Sequence, residues 1–155
     1  MTAPQPRQPP DLVQLLTRAE RLMARRLTAI LDGQGCSPDG WRVITLLSDG
    51  TGRYMTDIAE QAFLPPATLT KLVDHLVDDN LVYRRVDVID RRRIRAYLTP
   101  RGHTLHQRIS ADIRASLAGL PASDSDRELL VELLTQLATA LSDPPVAHPH
   151  PAGRP

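Results

Sequence analysis

Six arginines, Arg84, Arg85, Arg91, Arg92, Arg93 and Arg95, fall within one short stretch that holds only two acids, Asp87 and Asp90. Guanidinium groups so close together repel one another unless anions offset them. Duplex DNA is such an anion, and arginine inserted into a narrow minor groove responds to its potential and width. Just upstream, Pro66, Ala67, Thr68, Thr70 and Lys71 open a stretch of helical apolar spacing. The first turn of a helix carries free N–H groups, and a helix is what the major groove of B-DNA admits. Thr68 and Thr70 can exchange hydrogen bonds with base edges, Ala67 permits close approach or a thymine-methyl contact, and Lys71 can neutralise a phosphate. Taken alone, these five are also good choices for the surface of any amphipathic helix. The arginine run that follows them is what points to nucleic acid.

Other reactive side chains are sparse. Cys36 is the only cysteine, which excludes an internal disulfide and a cysteine-rich zinc cluster. No basic neighbour in sequence would lower its pKa, so a small buried hydrophobe is the plainer reading than a redox switch. His103 and His106 stand three apart on one expected helix and suggest half of a metal site, without a carboxylate or thiol to complete it; His148 and His150 fall in a proline-rich tail. Trp41 and Met23 would suit the wall of a ligand pocket and would equally suit a core. A phosphate-binding glycine loop, a nucleophile elbow and a zinc-protease helix motif are all lacking. The reading is therefore of a protein that is not an enzyme and needs no cofactor or metal.

The elements that must carry these residues follow from periodicity. Residues 1–10 and 143–155 are rich in proline and poor in large apolar side chains, the composition of disordered tails. Asp11 can cap a long helix with apolar positions Leu12, Leu15, Leu16, Ala19, Leu22, Met23, Leu27, Ile30 and Leu31, ending near Gly33 or Gly35. Ser37-Pro38 opens a second, with Trp41, Ile44 and Leu47 inward. Thr56 is the expected cap of a short third helix, and Pro66 starts a fourth that runs to about Asp79 with Leu69, Leu72, Val73 and Leu76 inward; Asn80 suits its left-handed end. The period then drops to two. Val82, Val86 and Val88, then Ile94, Ala96 and Leu98, predict two antiparallel strands joined around residues 87–92. Thr99-Pro100 begins a further helix, and Ser125 with Glu128 reads as a capping box before the last.

The chain has 155 residues, 41% of them hydrophobic, and a formal charge of +1. That length fits one globular domain with appended helices. No stretch is apolar enough to span a bilayer and the N-terminus lacks a signal core, so the expectation is a cytoplasmic protein without a membrane partner. The near-neutral total argues against nucleic acid until the distribution of charge is considered.

The segments PPATLTKLVDHLVDDNLVYR and DRRRIRAYLTPRG, together with SPDGWRVITLL, resemble the recognition helix, the wing and the preceding helix of the MarR family of bacterial regulators. The resemblance implies a mainly α fold with a small β-hairpin wing: a winged helix-turn-helix over 37–100 inside a domain spanning 11–142, with helices over 11–34 and 99–142 forming a dimerisation region. It implies a homodimeric DNA-binding regulator, usually a repressor, that sets one winged lobe per subunit on successive major grooves of a pseudo-palindromic duplex. It further implies a small aromatic ligand bound between the dimerising helices and the lobe. Position by position, Pro66, Ala67, Thr68, Thr70 and Lys71 fall on the recognition helix, Arg91, Arg92 and Arg93 on the wing, and Asp90 where an acid holds the wing arginine. Pro65-Pro66 departs from the capping Ser or Thr and polar residue usual there, and Val88-Ile89 departs from the usual turn-like tip. The competing expectation is a helical dimer whose lobe serves as a protein-interaction or ligand-carrier module with weak DNA affinity.

Overall fold

The computed structural model describes residues 11–118 and 123–142; the two expected tails, with His148 and His150, lie outside the described residues. The chain divides into two compact units, the first ending at Ser116 and the second beginning at Leu117.

In the first unit, α1 (Leu12–Gly33) starts where Asp11 accepts a hydrogen bond from the Val13 amide at 3.2 Å. Next, α2 (Pro38–Leu46) starts where the Ser37 hydroxyl accepts from the Gly40 amide at 3.0 Å, with Pro38 in a first-turn position that needs no N–H partner. Strand β1 (Arg53–Tyr54) leads straight into α3 (Met55–Gln61), and α4 (Pro66–Asp78) follows. Asn80 ends α4 with φ 56°, as its type predicts. Strands β2 (Val82–Val86) and β3 (Ile94–Leu98) then form the hairpin, and α5 (Pro100–Leu117) closes the unit. Thr99 fixes that last start: its hydroxyl donates to the Asn80 carbonyl at 2.7 Å and accepts from the Gly102 amide at 3.0 Å.

Leu31, Val43, Ile44, Leu47, Ile58, Leu69, Val73, Val82, Ala96 and Ile109 form one core, drawn from every helix of this unit and from the hairpin. Because α4 buries Leu69, Val73 and Leu76 at helical spacing, its opposite face must point to water. That rotation is what aims its first turn outward.

Three expectations are corrected. The hairpin is part of a three-stranded sheet, order β1-β3-β2, with Arg53 opposite Ala96 and Tyr54 opposite Arg95; a two-residue strand is too short to leave a period in the sequence. Thr56 is not the cap of α3, which begins after Tyr54 with no side-chain cap, because the chain enters the helix directly from β1. The capping box of the last helix is built by Ser123 and Asp126, not Ser125 and Glu128. Its helix, α6 (Asp124–Ser142), is the described element of the second unit.

The strand pattern also over-reaches. Val82, Ala96 and Leu98 are buried, whereas Val86, Val88 and Ile94 are exposed, since the hairpin extends past the core that its base packs against. Among the described residues no helix is long and apolar enough to cross a membrane.

Gly102 sits in the first turn of α5 against the backbone of Leu81, just ahead of β2: a Cβ there would overlap the Leu81 carbonyl oxygen. Gly102→Ala is expected to destabilise the protein by about 1–3 kcal/mol through backbone overlap, measured as a lowered urea midpoint with an unchanged slope.

Candidate nucleic-acid interface

The exposed side of α4 carries Pro66, Ala67, Thr68, Thr70 and Lys71, all open to solvent. Pro65 precedes the helix without a capping side chain, and Pro66 occupies a first-turn position. The Thr70 hydroxyl donates to the Pro66 carbonyl at 2.9 Å and retains an oxygen able to accept a further hydrogen bond. With Leu69 buried between them, Thr68 and Thr70 flank the inward face at the very start of the helix.

The wing is organised by a residue the sequence marked only as a counter-charge. The Asp87 side chain is buried, and both of its oxygens are occupied. Oδ1 accepts from the amides of Ile89 at 2.8 Å and Asp90 at 3.0 Å, while Oδ2 accepts from the Tyr54 hydroxyl at 2.8 Å and Arg95 Nε at 2.9 Å. Arg95 Nη2 donates to the Tyr54 hydroxyl at 2.9 Å, closing the triangle. The Asp90 amide, the Tyr54 hydroxyl, the Ile89 amide and Arg95, in that order, hold the Asp87 carboxyl far below the ordinary carboxylate range, against the opposing effect of burial.

Asp90 acts on the wing through the main chain. Its carboxylate accepts from the Arg92 backbone amide at 3.1 Å, and its carbonyl accepts from the Arg93 amide at 2.9 Å. It therefore shapes the turn through the main chain and forms no ion pair with the Arg92 guanidinium. The buried acid that anchors the wing is Asp87. The missing signal was Tyr54, which becomes Asp87's partner only once β1 joins the sheet.

The arginine cluster separates into two kinds. Arg84 Nη2 pairs with Asp74 at 2.6 Å and so fastens β2 to α4, Arg95 belongs to the Asp87 network, and Arg93 lies 3.4 Å above the centre of the Tyr54 ring. Arg85, Arg91 and Arg92 are exposed and make no ion pair among the described residues. Between the wing and α4 runs a groove of about 370 Å³ lined by Tyr54, Met55, Thr56, Thr70, Arg84, Arg92, Arg93 and Ile94. Thr70 of α4 and the wing thus border one cationic depression.

The remaining candidates are placed elsewhere. Trp41 is half-buried and stacks on His106 with ring centres 5.2 Å apart, whereas Met23 is exposed on α1. Desolvation, then His103, lowers the His106 pKa. No group of three or more potential metal ligands occurs among the described residues. Cys36 is buried, and burial pushes its thiol pKa up, which disfavours the reactive thiolate.

An acid whose pKa falls on folding contributes stability above its unfolded value of about 4 and loses that contribution as pH drops through the folded value. The Asp87 contribution is therefore complete at neutral pH and fades only in strong acid. Asp87→Asn is expected to remove this part of the acid dependence and to speed hydrogen exchange at the Ile89 and Asp90 amides, followed by NMR at pH 7. Unchanged exchange at both amides would refute the anchoring role.

Comparison with known proteins gives one answer. A sequence model of the MarR family matches residues 34–93. The HTH-type transcriptional repressor YetL of Bacillus subtilis (strain 168) is 27% identical over 114 residues, covering 71% of this chain and 68% of the relative. The crystal structure of NadR in complex with 4-hydroxyphenylacetate superposes with a TM-score of 0.70 at 26% identity, over 88% of this chain and 98% of that one. The transcriptional repressor CouR, bound to a 23-mer DNA duplex, has the same fold, with a TM-score of 0.71 at 23% identity over 83% and 92% of the two chains. The stretch that the MarR family model matches is the winged lobe itself, and over most of its length the chain is similar to HTH-type transcriptional regulators.

Proposed function

We propose that this protein represses transcription by binding a pseudo-palindromic DNA duplex as a homodimer, and that a small aromatic molecule releases it. The observation that carries the DNA-binding part is the pairing, across one groove, of Thr70 on the outward-facing side of α4 with a wing whose frame is fixed from within. On this reading Ala67, Thr68 and Thr70 meet base edges and Lys71 a phosphate in the major groove, with Pro66 in van der Waals contact beside them. Arg91 and Arg92 reach the adjacent minor groove, while Arg93, stacked on Tyr54, sets the direction of the wing.

The winged helix-turn-helix of this proposal spans 37–100, and 11–34 and 99–142 supply the dimer interface. Apolar surface left open supports that assignment in each unit taken by itself. On α1, Leu12, Val13, Leu15 and Leu22 are exposed; on α6, Leu129, Leu130, Leu133 and Leu134 are exposed. Faces of this kind are normally covered by another chain. Two lobes on one dimer would read half-sites about one helical turn apart.

The aromatic ligand follows from NadR, whose structure holds 4-hydroxyphenylacetate. Trp41, half-buried against His106 where α2 faces α5, offers an aromatic wall, and Met23 lies on the helix proposed to meet the second subunit. Release requires the ligand to bind the non-binding spacing of the lobes more tightly, since equal affinity for both states shifts nothing.

Selection from a random duplex pool is expected to enrich an inverted repeat. On the selected duplex, Arg92→Ala is expected to weaken binding and to reduce the slope of log affinity against log salt by about 1, measured by fluorescence anisotropy. An unenriched pool, or an Arg92→Ala protein that matches the parent in affinity and slope, would refute this mechanism. A small aromatic acid at 100 times its dissociation constant should add about 2.7 kcal/mol of stability, read as a thermal shift.

A further inference from the structure

We propose that Val88 and Ile89 form an apolar wedge at the tip of the wing that enters the minor groove beside Arg92 and partly unstacks a base step; this rests on the DNA-binding reading above. Among the described residues these are the two most exposed large hydrophobic side chains, at 95% and 97%. They sit in a loop otherwise made of Asp90, Arg91 and Arg92, a tip that gains nothing in water from apolar side chains.

The loop is also rigidly framed. It closes on a hydrogen bond from the Asp87 amide to the Arg93 carbonyl at 2.9 Å. Inside it, the Ile89 and Asp90 amides bond the Asp87 carboxylate, the Arg92 amide bonds the Asp90 carboxylate, and the Arg93 amide bonds the Asp90 carbonyl. With those four donors satisfied internally, the backbone is settled before any partner arrives and the two side chains are presented outward. Preorganisation of this kind removes an ordering cost from binding.

The occupant is set by charge and by position. Asp87 and Asp90, which flank the pair, have their carboxylates engaged by loop amides, and Arg91 and Arg92 follow in the same loop without an ion pair among the described residues, so whatever receives the pair carries negative charge around an apolar lining. A minor groove has that make-up, with phosphates along its rims and deoxyribose and base edges within, and aliphatic wedges that unstack a step bend the duplex around the protein. Arg92 of the same loop lines the groove that joins the wing to α4, so the tip extends the proposed contact and does not start a separate one.

The test uses the full-length protein and the duplex selected from the random pool, with 2-aminopurine replacing adenines across it in turn. The parent is expected to raise 2-aminopurine emission at a step under each wing and to bend the duplex, measured by energy transfer between its ends. The double variant V88S/I89S is expected to bind about tenfold more weakly with the salt slope unchanged, to lose the emission rise and to straighten the duplex. Ile89→Leu alone should keep all three properties. Both changes are at exposed positions, so an unchanged melting temperature verifies the fold. If V88S/I89S matches the parent in affinity, emission and bend, the wedge is overturned while the DNA-binding reading stands. If the parent binds no duplex, both fall. Binding to anionic phospholipid vesicles that V88S/I89S abolishes, with DNA affinity untouched, would assign the tip to a membrane surface and also overturn the wedge.

Discussion

A buried carboxylate that accepts four hydrogen bonds ties three separate pieces of this chain together. Asp87 joins the end of β2 to Tyr54 at the entrance of α3, to Arg95 on β3, and to the main chain of its own loop. Burying a charge is costly unless it is paired and hydrogen-bonded, and here neither oxygen lacks a partner. The direction of the wing follows from this one site, because the loop amides and the sheet beneath them converge on the same side chain.

The treatment of positive charge follows from that anchor. Arginines placed close together repel, and the fold answers by giving several of them fixed work. Arg95 is held by Asp87 and Tyr54, Arg93 lies over the Tyr54 ring, and Arg84 bridges to Asp74 on α4. What remains for an external anion is a smaller set led by Arg91 and Arg92, displayed on a prepared frame. A net charge of only +1 is thus compatible with a nucleic-acid partner, because the field is local.

The helix start opposite the wing is unusual in another way. Pro65 and Pro66 supply no capping hydroxyl, so the turn relies on the restricted φ of proline in place of a side-chain hydrogen bond. The left-handed φ of 55° at Phe63, just after α3, completes a connection in which the Leu64 amide bonds the Ala59 carbonyl at 2.9 Å. A residue with a Cβ is strained in that conformation, so neighbouring contacts must hold it. The geometry between α3 and α4 is therefore set by backbone restriction more than by polar capping.

Sequence alone was enough for the long, strongly periodic parts. Asp11, Ser37 and Asn80 mark helix ends by their own chemistry, and the apolar spacing of Leu69, Val73 and Leu76 fixes which side of α4 faces water. The exposed residues Pro66, Ala67, Thr68, Thr70 and Lys71 and the cationic hairpin were legible for the same reason, since local periodicity and charge carry both. Tertiary structure decided whatever depends on partners distant in the chain. Tyr54 and Asp87 are 33 residues apart, and a two-residue strand has no period to betray it, so the acid that anchors the wing could not be told from its neighbour Asp90. The division of the arginines into structural and free ones has the same origin, because a salt bridge or a stacked ring is a fact of three-dimensional proximity on which spacing along the chain is silent.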